Sequence, residues 1–264
     1  MSTQSILLEQ DKRGVAVVTL DRPEKHNVFD ENVIAELTAA FEKLQGDESV
    51  RVMVLRSNGK HFSAGADLDW MKRMAGNEHA DNIRDANALA KMLHRLNYLP
   101  FPTIARVQGA AMGGGAGLVC CCDMAIASST ASFAFSEARL GLIPATISPY
   151  VLQSIGAQAA RRYFLTAERF DARRALQLGM VAEVTEDNEL DVTIDELVET
   201  ILMNSPQAVK AAKKLINEIE DKPVTPALMQ MTSEGIANIR ASEEGKEGLA
   251  AFLEKRKPWW VANE

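Results

Sequence analysis

The stretch AAMGGGAGLVCCCDMAIA, residues 110–127, sets three consecutive glycines in front of a run of small apolar residues. Glycine accepts positive φ and lets a backbone come close to a ligand, but inside a regular element each one costs about 0.5–1 kcal/mol relative to alanine. Three together mark a turn, and the apolar run that follows predicts a buried helix through Cys121. Gly113, Gly114 and Gly115 then stand at the helix start, where N–H groups lack intrahelical acceptors and lie at the positive end of the dipole. Such amides can receive an anion, or an oxygen that becomes one during a reaction. Neither GxxxxGK[ST] nor GxGxxG occurs here, which argues against a nucleotide phosphate. Close helix packing is the plainer use of the same glycines.

Outward from this stretch the chain alternates strand and helix patterns. Residues 6–9 and 15–20 are rich in β-formers and flank the polar turn DKRG, which predicts a hairpin. Asp30 is a fitting N-cap for a helix carrying Val33, Leu37, Ala40, Phe41 and Leu44, and residues 51–55 then read as a buried strand. A helix over 81–99 stops before Pro100 and Pro102, and a strand follows at 103–107. Helices are predicted at 157–166, 171–178, 190–203, 207–219 and 227–253. The pattern predicts one α/β domain with a C-terminal helical region, without a low-complexity linker or solenoid repeat.

Two other segments have chemical potential. The run KHFSAGADL, residues 60–68, follows a buried strand with a turn of small residues, a second place where an amide can face a ligand. Together the two turns could clamp one oxygen. The run FSEARLGLIP, residues 135–144, sets Glu137 in an apolar context that would raise its pKa and suit it to proton transfer; the plainer reading is a surface or ion-paired carboxylate.

Composition narrows the classes. The 264 residues are 47% hydrophobic with a net charge of −7, which disfavours nucleic acid and anionic membranes. No apolar run approaches the roughly 20 residues a membrane helix needs, and the N-terminal sequence lacks a signal-peptide pattern, so a cytoplasmic protein is expected. Cys120, Cys121 and Cys122 are adjacent, a spacing that suits neither a disulfide framework nor a CxxC metal site, and they read as packing residues. His26, His61, His79 and His94 show no metal-binding spacing, and no metal is expected. Trp259 and Trp260 read as packing for the tail, and Met71, Met74 and Met92 as core filling or the lining of an apolar pocket.

In order along the chain, LDRPEKHNVFD, FSAGADL, PTIARVQGAAMGGGAGL, CDMAIAS, FSEARLGLIP, AARRYFLTAERFDARRALQLGMV and GLAAFLEKRKPWW resemble the crotonase, or enoyl-CoA hydratase/isomerase, family over nearly the whole length. The resemblance implies a crotonase-like spiral of ββα repeats in residues 1–200. Residues 201–264 would form a helical region that serves oligomerisation and covers the CoA site. It also implies an acyl-CoA substrate, a trimer or dimer of trimers, and no cofactor beyond the coenzyme A of the substrate. The thioester oxygen would be held by the Ala66 and Gly114 amides, with Glu137 as the proton-transfer group. Lys25, Val28, Ala64, Gly65, Ala66, Asp67, Leu68, Gly113 and Gly114 would line the substrate and CoA site, and Lys255 would approach the CoA phosphates from a neighbouring subunit.

One position departs from the family pattern. Family hydratases commonly carry a first glutamate two residues after the glycine triplet, and here that place is Gly117. A lone carboxylate suffices for a double-bond isomerase. Hydration would need another group to hold water, with Asp69, Ser136 and Ser148 as candidates. The runs GADLDWM, GGGAGLVCCCD and SEARLGLIPATISPYV are most similar to bacterial hydratases of branched, carboxylated enoyl-CoAs, the 3-methylglutaconyl-CoA and γ-carboxygeranoyl-CoA type, and ATISPYV replaces the usual glycine-rich continuation. Hydration of such a substrate is the expected activity, with the isomerase as first alternative and a non-catalytic CoA-binding protein as second. A distal carboxylate on the substrate would need a partner, for which Arg139 and Tyr150 are candidates. Some relatives of methylglutaconyl-CoA hydratase bind RNA through a lysine-rich helix, but the matching segment here, ENVIAELTAAFEKLQGDESV, is acidic.

Overall fold

The computed structural model describes residues 4–261. Strands β1 (Ile6–Gln10) and β2 (Val15–Leu20) pair antiparallel, as the hairpin pattern predicts. The chain continues through α1 (Glu31–Gln45), β3 (Val52–Ser57), α2 (Leu68–Met74), α3 (His79–Asn97), β4 (Thr103–Val107), β5 (Ala110–Met112) and α4 (Gly114–Cys121). After β6 (Met124–Ser128) and β7 (Ser132–Ala134) come α5 (Ser148–Thr166), β8 (Phe170–Asp171), α6 (Ala172–Leu178), β9 (Glu183–Thr185) and α7 (Leu190–Leu202). Three helices finish the described chain: α8 (Pro206–Ile219), α9 (Pro226–Ala241) and α10 (Glu243–Glu254).

Two sheets organise the α/β spiral. The larger has the order β1-β2-β3-β4-β6-β9, and from β2 onward every pairing is parallel. Parallel neighbours require crossovers, and each crossover here carries a short extended piece followed by a helix. Those short pieces form a second ladder: Phe29 bridges Ala66, Ser63 bridges Ala111, β5 pairs with β7, and β7 pairs with β8. Each turn of the spiral thus adds one strand to the large sheet and one rung to the small ladder. Adjacent rungs lie about 4.8 Å apart, so residues remote in sequence meet side by side.

Packing fixes the turns. The Asp30 carboxylate accepts hydrogen bonds from the Asn32 and Val33 amides, starting α1, which buries Val33, Ile34, Leu37, Ala40, Phe41 and Leu44. In α4 the glycine and alanine surface lets the helix sit fully inside the spiral, where Ala116, Leu118 and Val119 are buried. The cysteines at its end are free thiols against the core, and burial pushes Cys120 up to about 12, consistent with packing rather than reactivity.

Two local readings change. The helix predicted over 227–253 is two helices, because Ser242 leaves the helical conformation and its hydroxyl caps the Gly245 amide. The helix predicted at 157–166 begins earlier, at Ser148, and bends at Gly156, whose φ of 72° no helix accommodates. Glu137 opens a 3₁₀ turn, Glu137–Leu140, closed by Gly141 in the left-handed conformation.

The C-terminal helices dock at few points. Lys213 of α8 is buried and donates to the Phe101 carbonyl at 3.0 Å and to the Asp123 carboxylate at 2.7 Å. Arg51 holds the Leu202 and Trp260 carbonyls, and the Trp260 indole donates to Met203 O, pinning the tail to the body. Among the described residues no helix is long and apolar enough to cross a membrane.

Candidate active site

The site forms where two spiral turns and the Glu137 turn meet. In residues 64–68 burial alternates, with Gly65 and Asp67 inside and Ala64, Ala66 and Leu68 outside, as extended chain requires. The Phe29 amide donates to Gly65 O at 2.8 Å and the Asp67 amide to Phe29 O at 2.7 Å. Amides alternate in direction along extended chain, so the Ala66 N–H points away from Phe29, towards the turn that carries β5. On that side the ladder between Ser63 and β5 has ended, and the Ala66 amide makes no hydrogen bond among the described residues.

The next turn supplies the second free amide. Gly113 adopts φ 51° and its N–H donates to Ala134 O at 2.9 Å. Gly114 opens α4, and its amide has no acceptor among the described residues. The glycines are needed sterically. A Cβ on Gly115 would lie 2.8 Å from Ser63 Cβ, and one on Gly114 would lie 3.4 Å from the Phe29 ring, so α4 is pressed against the preceding spiral turn. A Cβ on Gly65 would in turn meet Met112 O at 3.4 Å.

Glu137 closes the third side. A Cβ on Gly113 would stand 3.1 Å from Glu137 Oε1, which puts the carboxyl directly against the glycine turn. Glu137 Oε2 is buried and has no hydrogen-bond partner among the described residues. Burial raises the pKa of this carboxyl above the usual glutamate range, its own backbone amide opposing only in part. A dry, unpartnered carboxyl oxygen beside free amides at a helix start can move a proton while an oxyanion develops opposite it.

The remaining predicted residues divide clearly. Lys25 lies in the 3₁₀ turn Pro23–Lys25, its Nζ 3.4 Å from Asp67 Oδ2, and the Ala64 amide donates to His26 O, so Lys25, Val28 and residues 64–68 share one surface. Buried Asn27 ties this surface together by donating to Asn58 O and His61 O. His61 Nδ1 accepts the Ala110 amide at 3.1 Å, which links the same turn to β5. Lys255 is exposed at the C-cap of α10 and makes no ion pair with these residues.

Of the water-holding candidates, Asp69 pairs with Lys72 on the surface of α2 and Ser148 donates to Ala145 O. Ser136 is half-buried next to Glu137, with no side-chain hydrogen bond among the described residues. Arg139 is exposed on the Glu137 turn and unpaired among the described residues, whereas Tyr150 lies near Cys121 and Tyr98, at the far end of α4 from the free amide.

One residue was missed by sequence reasoning. A Cβ on Gly117 would fall 2.3 Å from Ile147 Cγ2 and 3.0 Å from Ile147 Cβ. Ile147 is buried and occupies the space beside Gly117. The signal was the replacement of a glycine-rich continuation by ATISPYV, which puts bulk where flexible backbone is usual.

On adjoining turns of a parallel spiral the structure thus sets two amides, Ala66 and Gly114, without acceptors among the described residues, and the buried Glu137 carboxyl. The family model described as enoyl-CoA hydratase/isomerase matches residues 10–263, and the chain belongs to that family. A solved enoyl-CoA hydratase from Shewanella pealeana is 47% identical, with TM-score 0.94 and coverage of 98% of this chain and 97% of that one. The short-chain-enoyl-CoA hydratase of Clostridium acetobutylicum is 35% identical over 97% of each chain. The 2,3-dehydroadipyl-CoA hydratase of Escherichia coli is 30% identical over 96% of this chain and 98% of that one. The activity of this protein is of the enoyl-CoA hydratase/isomerase class.

Proposed function

We propose that the protein hydrates the C2–C3 double bond of a branched, carboxylated enoyl-CoA of the 3-methylglutaconyl type. The thioester oxygen is received by the Ala66 and Gly114 amides, so that charge developing on it is met by two donors already in place. Glu137 takes a proton from water as the water oxygen bonds to C3, then returns it to C2. The observation that carries this reading is the orphaned Glu137 Oε2, an acceptor held dry against the glycine turn. Ser136 is the side chain best placed to steady the water, because Asp69 and Ser148 are engaged elsewhere.

The carboxylated acyl group rests on the runs around Gly117 and Ile147 and on a free guanidinium, Arg139, in the same short turn as Glu137. A relative named for a dicarboxylic acyl group supports the same class. Coenzyme A lies along Lys25, Val28 and residues 64–68. Exposed Leu249, Phe252, Leu253 and Trp259 support assembly into trimers or paired trimers, in which Lys255 reaches the CoA phosphates of a neighbour. A second reading, double-bond isomerisation, is favoured by the bare Gly117, since one carboxylate can remove and return the proton alone.

Incubation with 3-methylglutaconyl-CoA in deuterated water separates the two by the mass of the product. Addition of a whole water supports hydration, and deuterium uptake without added water supports the isomerase. No change with this substrate overturns the acyl assignment. Loss of about 10²–10⁴-fold in rate on Glu137→Gln is expected in either case.

A further inference from the structure

Gly113 caps the N-terminus of α4 and Gly117 lies one turn into the helix, its amide donating to Gly113 O at 3.0 Å. The Glu137 carboxyl touches that face at Gly113 and Ile147 touches it at Gly117. The two side chains therefore both pack on the first turn of α4, one at its cap and one at Gly117. We infer that Ile147 is the residue that limits this site to a single acid: it fills the space that a side chain at 117 would need, and it seals Glu137 from water on that side. The inference rests on Glu137 being the proton-transfer group of the proposed function.

The steric case is specific about which exchanges can work. Any Cβ at 117 collides with Ile147 Cγ2, and an alanine at 147 would still leave a Cβ 3.0 Å away. Only glycine at 147 clears the space. Ile147 is the N-cap residue of α5, where glycine is well tolerated, so this exchange does not cost the helix its start. The raised pKa of Glu137 comes from burial. No charged neighbour contributes to its raised pKa: α4 carries no charged residue, and neither Arg139 on its own turn nor Tyr150, Arg161 and Arg162 on α5 acts on it.

Three variants test the inference: Gly117→Glu, Ile147→Gly and the pair together, with thermal unfolding, the pH profile of kcat/KM, and hydration of crotonyl-CoA as readouts. Gly117→Glu alone is expected to lose stability, and Ile147→Gly to restore it. Ile147→Gly alone is expected to move the Glu137 limb of the pH profile to lower pH, because water reaches the carboxyl. The double variant is expected to gain about 10²-fold in hydration over Ile147→Gly, the low end of what a placed acid–base group contributes. A double variant that folds yet gains nothing, or an unchanged pH limb in Ile147→Gly, overturns the inference. Adding Glu137→Gln to each background keeps the readings apart: activity that survives it refutes the role of Glu137, while the stability cycle still reports whether 117 and 147 exclude each other.

Discussion

The two turns that each leave an amide free are built by opposite means. Around Gly113–Gly117 the backbone is fixed by absence: Gly115 lies against Ser63 and Gly117 against Ile147, where an added methyl has nowhere to go, and Gly113, at positive φ, lies against Glu137. Around residues 64–67 the backbone is fixed by polar contacts. Asn27 holds two carbonyls, and the Asp67 carboxylate receives the Asp69 and Trp70 amides and faces Lys25 and Arg22. The first turn is therefore vulnerable to added atoms and the second to removed hydrogen bonds.

Gly115→Ala gives the largest expected effect. Its Cβ would come within 2.8 Å of Ser63 Cβ and 3.0 Å of Ser63 O, and the second contact is with backbone, which cannot rotate away. Overpacking of this kind costs about 1–3 kcal/mol. Displacing the adjacent Gly114 amide should lower kcat about 10²–10³-fold with a smaller change in KM. A fully active Gly115→Ala enzyme would break the comparison on its steric side.

Asn27→Ala probes the other turn by removal. Asn27 sits at φ 53° and is buried; its amide donates to Asn58 O and His61 O, and its carbonyl accepts from the Arg22 amide. Truncation leaves buried backbone groups unsatisfied, at about 1–3 kcal/mol, and alanine tolerates the left-handed conformation less well. Chemical unfolding should show that loss, and because these bonds hold the surface proposed for CoA, KM should rise more than kcat falls.

The contrast also explains how much could be read beforehand. The glycine turn, Glu137 and the FSAGADL turn were legible as candidates because residue type marks them, and α1 was legible because its apolar stripe is buried in the spiral itself. The short strands of the small ladder were not, since β5 and β7 are three residues each and owe their conformation to neighbours across the spiral. Ile147 was missed for a related reason: its meaning lies in a contact with a glycine thirty positions earlier, and a glycine has no side chain to announce a partner. The break at Ser242 was hidden because α9 and α10 both continue a helical apolar pattern while the cap reverses it locally.

The smallest effect sharpens the polar side. Burial alone would raise the Asp67 pKa, but hydrogen bonds from the Trp70 and Asp69 amides, with Lys25 nearby, outweigh it and hold the carboxyl below the usual range. A depressed folded value means that the ionised carboxylate stabilises the fold at neutral pH, and that this contribution is lost as pH falls below the ordinary aspartate value of about 3.9 and through the folded one. Asp67→Ala should therefore cost about 0.5–2 kcal/mol near pH 7, the range for a lost N-cap. The gap from wild type should close in acid. Asp67→Asn separates the cap from the charge, since asparagine caps as well as aspartate, and Lys25 is half-exposed, so its ion pair is worth no more than about 1 kcal/mol. An asparagine variant close to wild type assigns the hold on this turn to the two amides. One as unstable as alanine assigns it to charge, and the second turn would then be secured by its cations rather than its hydrogen bonds.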